Sequence, residues 1–185
     1  MNGGSSRYQF QSKAQASKLP LVAAAARALT IVSVVIALAI TKSNQVKLPG
    51  DDRYNYYLLS YKYVISYRYA LAVILLAAVH NALQMPFAVY YAIRRKRLLN
   101  HSVFLKFEFY GDKIISYALG TAAGAYFGVT VDGKRSIKYA QKWESKYNDF
   151  YNLAFVAAGF LLLGFLSCVA SSFISSLAAS QGEDE

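Results

Sequence analysis

Arg27 and Asp112 are ionisable residues at the edge of, or inside, apolar runs long enough to cross a bilayer. An isolated guanidinium or carboxylate in hydrocarbon costs roughly 2.5–3.5 kcal/mol or more. The chemistry these two residues suggest is therefore mutual neutralisation, a charge pair between helices. If successive runs alternate direction, both residues fall in the same leaflet, and non-consecutive helices can bring them together. His80, Asn81 and Gln84 stand near the middle of a further apolar run. Polar groups there read either as interhelical hydrogen bonds, each worth about 0.6 kcal/mol on average, or as part of a proton or ion path.

Other chemistries lack their residues. His80 and His101 are the only histidines and Cys168 the only cysteine, too few for a zinc or di-iron ligand set of ordinary kind. Neither G-x-S-x-G nor H-E-x-x-H occurs, so no catalytic residue, metal or cofactor is expected. A single cysteine permits no intrachain disulfide, and inside an apolar run it reads as a small packing residue.

Four runs must position these groups: Pro20–Ile40, Tyr69–Ile93, Asp112–Val131 and Asn152–Leu177. About 20 residues at 1.5 Å rise cross a hydrocarbon core of about 30 Å. The fold class expected is all-α, a four-helix transmembrane bundle over 20–177 with short tails at 1–19 and 178–185. The first run is too long for a signal-peptide core and has no convincing cleavage site before Thr41-Lys42-Ser43, so it is expected to stay. Of the 185 residues, 56% are hydrophobic and 16% charged, which puts the net charge of +10 into the connections. Arg94-Arg95-Lys96-Arg97 abuts a run end, where it reads as an orientation signal and a contact for anionic lipid headgroups rather than for nucleic acid. With Arg7, Lys13 and Lys18 in an acid-free tail, this favours a cytosolic N-terminus and, after four crossings, a cytosolic C-terminus.

Packing signals lie within the runs. Ser116, Gly120, Gly124 and Gly128 recur every four residues in the third, two overlapping G-x-x-x-G repeats that let backbones approach closely, either inside one monomer or between copies. Ser167, Ser171 and Ser175 repeat the device in the fourth run, and Ser33, Ala37 and Thr41 in the first. Pro49-Gly50-Asp51-Asp52 reads as a turn, and the tyrosines from Tyr54 to Tyr69, like Trp143, read as interfacial aromatics or as partner contacts. The two halves of the chain do not resemble each other, which weakens a transporter built from repeats.

Gly111-Asp112-Lys113-Ile114-Ile115-Ser116-Tyr117-Ala118-Leu119 opening a small-residue third span, with Arg27 in the first, Asn81-Ala82-Leu83-Gln84 in the second and Ser171-Ser172-Phe173 in the fourth, resembles the Casparian strip membrane domain protein-like (CASP-like) family of plants. The resemblance runs from Arg27 to Leu177, and Arg27 and Asp112 match the family's intramembrane Arg and Asp. It implies a multi-pass plasma-membrane protein with cytosolic termini that forms homo-oligomers, and hetero-oligomers with related members. Members that build the Casparian strip assemble immobile membrane domains and recruit secreted cell-wall-modifying enzymes. This chain lacks the exofacial signature of strip-forming members and the cysteine pair that many relatives carry in the last exofacial loop.

Two readings of function follow. One is an oligomeric scaffold that organises a membrane patch. The other is a small channel or transporter using Arg27, His80, Gln84 and Asp112 along a polar path. A scaffold needs charges that pair and grooves that pack, whereas a conduit needs a continuous water-accessible line of polar residues.

Overall fold

The computed structural model describes residues 19–49, 56–94, 102–136 and 144–180. Helix α1 (Leu19–Ser43) leads into a hairpin of β1 (Gln45–Pro49) and β2 (Tyr56–Ser60). A single 3-10 turn (Tyr61–Tyr63) then precedes α2 (Ile65–Arg94), α3 (Ser102–Ser136) and α4 (Glu144–Ser180). All four helices are long and apolar enough to cross a membrane, over Leu21–Ser43, Ile65–Tyr90, Tyr110–Ser136 and Ser145–Ile174. The fold is the four-helix transmembrane bundle. The helices overrun the apolar runs because the backbone ladder continues into polar flanks that hold no proline to stop it. Pro86 lies in the interior of α2, whereas Pro20 stands at the start of α1, where a proline costs no ladder hydrogen bond.

The helices pack in a ring, α1 beside α2 and α4, and α3 beside α2 and α4, so α1 faces α3 across a diagonal. The seam between α1 and α4 is tight because small residues line it. A Cβ on Gly164 would fall 3.3 Å from Val34 Cγ1 and 3.6 Å from Ser33 Cβ. Ala154, Ala157, Ala158, Ser167 and Ser171 continue the buried face of α4. Val34, Ile74, Leu119 and Leu161, one from each helix, fill the centre with no exposed surface.

A polar layer closes the core toward the hairpin. Thr41 donates its one hydroxyl proton to Ala37 O at 2.7 Å, so the Tyr126 hydroxyl, 3.1 Å away, donates to Thr41. By the same logic Thr130 donates to Tyr126 O at 2.6 Å and receives the Tyr67 hydroxyl at 3.0 Å. The Tyr67 and Tyr126 rings stack with centroids 4.4 Å apart, and Phe150 lies 6.2 Å from Tyr67.

The segment read as a turn and a run of interfacial tyrosines contains a paired structure. Strands β1 and β2 are antiparallel, in a register that sets Val46 opposite Leu59 and Lys47 opposite Leu58. Val46 and Leu59 share the face that packs on the core, as strand alternation requires, and Leu58 points away from it. Ser60 then caps the 3-10 turn by accepting from Lys62 N at 3.2 Å. Asn44 Nδ2 donates to Phe150 O at 2.8 Å, tying the end of α1 to α4. The basic tail before residue 19, Gly50-Asp51-Asp52 of the expected turn with Tyr54, the cluster Arg95-Lys96-Arg97, Trp143 and the acidic tail from 181 lie outside the described residues.

Candidate functional site

The first turns of α1 and α3 and the last turns of α2 and α4 meet at the opposite end of the bundle from the hairpin, and there the structure brings Arg27 and Asp112 together. Arg27 Nη2 donates to Asp112 Oδ2 at 2.7 Å. Both residues are at most 3% exposed. Only a long side chain spans the diagonal from α1 to α3, and the planar guanidinium has further donors for the other two helices. Nη1 donates to Gln84 Oε1 on α2, and Nε to Ser171 Oγ on α4 at 3.3 Å. One cation thus bonds to a side chain from each of the other helices.

His80 completes the cluster. Its Nε2 lies 3.0 Å from Asp112 Oδ1 and 2.9 Å from Gln84 Nε2. Because Gln84 Oε1 already accepts from Arg27, the Gln84 amide presents its NH2 to the imidazole. A protonated Nε2 donates to Asp112, and an unprotonated one accepts from Gln84, but one nitrogen cannot do both. The position of a single proton therefore selects between a grip on α3 and a bond within α2. The Cys168 thiol lies 3.9 Å from the Asp112 backbone carbonyl and donates toward it, which gives the lone cysteine a packing role against α3. Asn81 takes no part, since it donates to Ala77 O of its own helix at 2.8 Å.

His80 and Gln84 were legible as polar residues but not as partners of the charge pair. The signal was available in their spacing: four residues apart on a helix they share a face, and Gln84 falls at the depth of Arg27. Ser171 and Cys168 carried no comparable signal, because a serine or thiol in a small-residue span looks the same whether it packs or bonds. Among the described residues, no group of three His, Cys, Asp or Glu side chains could hold a metal.

The four-residue glycine series divides between two environments. Ser116 is buried and donates to Lys113 O at 2.8 Å, and a Cβ on Gly120 would fall 3.1 Å from Phe165 Cε2 of α4. Gly124 and Gly128 are exposed, and among the described residues a Cβ on either would meet no atom within 4 Å beyond its own helix backbone. The reason is helical geometry: a step of four residues turns about 40° past a full turn, so three steps rotate the series by about 120°. Its first half packs inside the monomer and its second half faces outward.

The sequence profile of the Casparian strip membrane protein domain matches residues 16–170, a stretch that includes Arg27, His80, Gln84, Asp112 and Cys168. The chain belongs to this family. Among similar CASP-like proteins, CASP-like protein 4D1 of Ricinus communis is 34% identical over 152 residues, covering 82% of this chain and 87% of the relative. CASP-like protein 4D1 of Glycine max is 33% identical, over 80% and 82% of the two chains. CASP-like protein 4D2 of Arabidopsis thaliana is 32% identical, over 82% and 86%. No solved structure matches. The CASP-domain match stops one residue before Ser171, so it covers every helix that contributes to the cluster but not the serine of α4.

Proposed function

We propose that this CASP-like chain is an oligomeric scaffold of the plasma membrane, with both termini in the cytosol, that organises a membrane domain and offers its exofacial end to secreted cell-wall-modifying enzymes. The observation that carries this reading is the outward half of the glycine series. Gly124 and Gly128 leave the α3 backbone bare on a face that the described residues do not cover. In lipid, close van der Waals approach across small residues is what holds helices together. Tyr117, 72% exposed, lies on the same side of α3 and supplies a polar tip that a second copy or a related family member can meet. Arg94 at the opposite end of the bundle from the hairpin fits anionic cytosolic headgroups.

The polar cluster favours a scaffold over a conduit. Arg27, Gln84, His80, Asp112 and Ser171 bond to one another across the bundle, and Val34, Ala37, Ile74, Leu119 and Leu161 fill the core between them and the tyrosine layer. Thr30, in between, turns its hydroxyl to Ala26 O of its own helix at 3.0 Å. Such a cluster locks helices rather than lining a path.

Gly124→Leu tests the scaffold. The variant is expected to insert and fold, because the added side chain meets open space, yet to lose cross-linked oligomers and to recover quickly after photobleaching. Retention of oligomers and immobility would move the assembly surface off α3. Ion or solute flux in reconstituted vesicles that falls on replacing His80 or Gln84 would make the conduit the better reading.

A further inference from the structure

The hairpin end of the bundle carries an excess of positive charge that the scaffold reading does not use. Lys47 on β1, Lys62 in the 3-10 turn, Arg68 in the first turn of α2, Arg135 in the last turn of α3 and Lys146 in the first turn of α4 are all exposed at this end. Against them, the acidic side chains described there are Asp132 and Asp149. Lys42 and Lys134 are occupied within the chain. Lys42 Nζ donates to the Tyr61 hydroxyl at 3.1 Å, and Lys134 Nζ donates to Asn152 Oδ1 at 2.6 Å. Lys47, Lys62, Arg68 and Arg135 form no ion pair among the described residues.

Two physical rules make this excess informative. Lys and Arg are selected against in translocated loops, and the anionic lipids that would attract them line the cytoplasmic leaflet. In the orientation proposed above, on which this inference rests, the hairpin end looks outward. There, neither membrane insertion nor the adjoining leaflet accounts for the charge. In that orientation an anionic partner outside the membrane accounts for it.

The aromatic residues narrow its chemistry. Tyr63 is 72% exposed beside Lys62, and the Tyr61 ring lies 5.1 Å beneath Lys42 Nζ. The flat side of a tyrosine ring offers dispersion contact to the C–H face of a sugar ring. The ammonium heads of Lys47 and Lys62 follow carboxylates spaced along a polymer without demanding fixed geometry, and the guanidinium groups of Arg68 and Arg135 can grip single carboxylates bidentately. We infer that the hairpin end binds a carboxylated polysaccharide, a polyuronate, through Lys47, Lys62, Arg68 and Arg135, with Tyr63 as a stacking platform.

The test uses the full chain in nanodiscs of zwitterionic lipid, with binding to immobilised polygalacturonate read by interferometry. Binding is expected to weaken steeply with salt and to vanish when the polymer is fully methyl-esterified, which removes the charge and keeps the sugar. The quadruple variant Lys47→Glu, Lys62→Glu, Arg68→Glu, Arg135→Glu should bind at least about tenfold more weakly. Tyr63→Ser, with charge unchanged, should lose about threefold. Undiminished binding by the quadruple variant, or equal binding to poly-L-glutamate, would overturn the proposal. So would complete loss of polymer binding when phosphatidylserine is added to the nanodiscs, because the charges would then belong to headgroups. Orientation is read separately by labelling Tyr63→Cys in intact cells with a membrane-impermeant maleimide, the wild type with its buried Cys168 serving as the blank. Labelling without polymer binding defeats this inference alone. Labelling only after permeabilisation defeats the orientation and the inference together.

Discussion

Gly111 lies against the edge of the His80 ring: a Cβ at this position would fall 2.6 Å from His80 Cε1. The residue before Asp112 thus clears the space through which the imidazole of α2 reaches the carboxylate of α3. Even one methyl group must push the ring aside. Gly111→Ala is expected to separate His80 from Asp112 and to lower stability by about 0.6–1.7 kcal/mol, the range for hydrogen bonds between membrane helices. His80→Ala should cost a similar amount. The double variant should cost little more than either single change, because both remove the same contact. Thermal unfolding of the four proteins in detergent measures the coupling, and full additivity would show that Gly111 does not act through His80.

The Arg27–Asp112 pair should behave as a unit. Arg27→Leu or Asp112→Leu alone leaves a buried charge without its partner and is expected to cost about 3–5 kcal/mol, read as loss of surface delivery and of monodisperse protein. The double Leu variant should recover part of the loss. Normal delivery of each single variant, with no gain in the double, would show that the residues are independent.

Gly120 and Gly124 are four residues apart and should respond oppositely to the same substitution. Gly120→Leu drives a side chain into Phe165, so it is expected to overpack the α3–α4 seam and cost about 1–3 kcal/mol. Gly124→Leu should melt like the wild type. Size-exclusion profiles after stepwise heating compare the two.

Ser33 of α1 is buried against α4, and its hydroxyl has no hydrogen-bond partner among the described residues. Removing an unsatisfied buried polar atom relieves its desolvation cost, so Ser33→Ala is expected to be neutral or to stabilise by up to about 1 kcal/mol. A melting temperature clearly below wild type would mean that the hydroxyl finds an acceptor in the membrane.

Asn100-His101-Ser102 is an N-x-S/T sequon at the junction of the α2–α3 connection with α3: Asn100 and His101 lie outside the described residues, and Ser102 opens α3. In the proposed orientation this connection is cytosolic, and Asn100 should remain unmodified. An endoglycosidase-sensitive mass shift that Asn100→Gln abolishes would invert the orientation.

The sequence by itself determined the four helices, the class of fold and the residues that had to be reckoned with in lipid. Each of these follows from a one-dimensional quantity: the length of an apolar run against the thickness of a bilayer, and the cost of a lone charge within it. Alternation of direction was enough to put Arg27 and Asp112 in one leaflet. Only the tertiary structure decided that they meet across a diagonal at 2.7 Å, with Gln84, His80 and Ser171 bonded around them, because which faces of four helices converge depends on their mutual rotation. Rotation likewise separated Gly120 from Gly124, which the four-residue spacing had placed on one stripe. The hairpin between α1 and α2 escaped for a different reason: pairing Val46 with Leu59, thirteen residues on, is a non-local choice, made by the core surface on which both side chains pack.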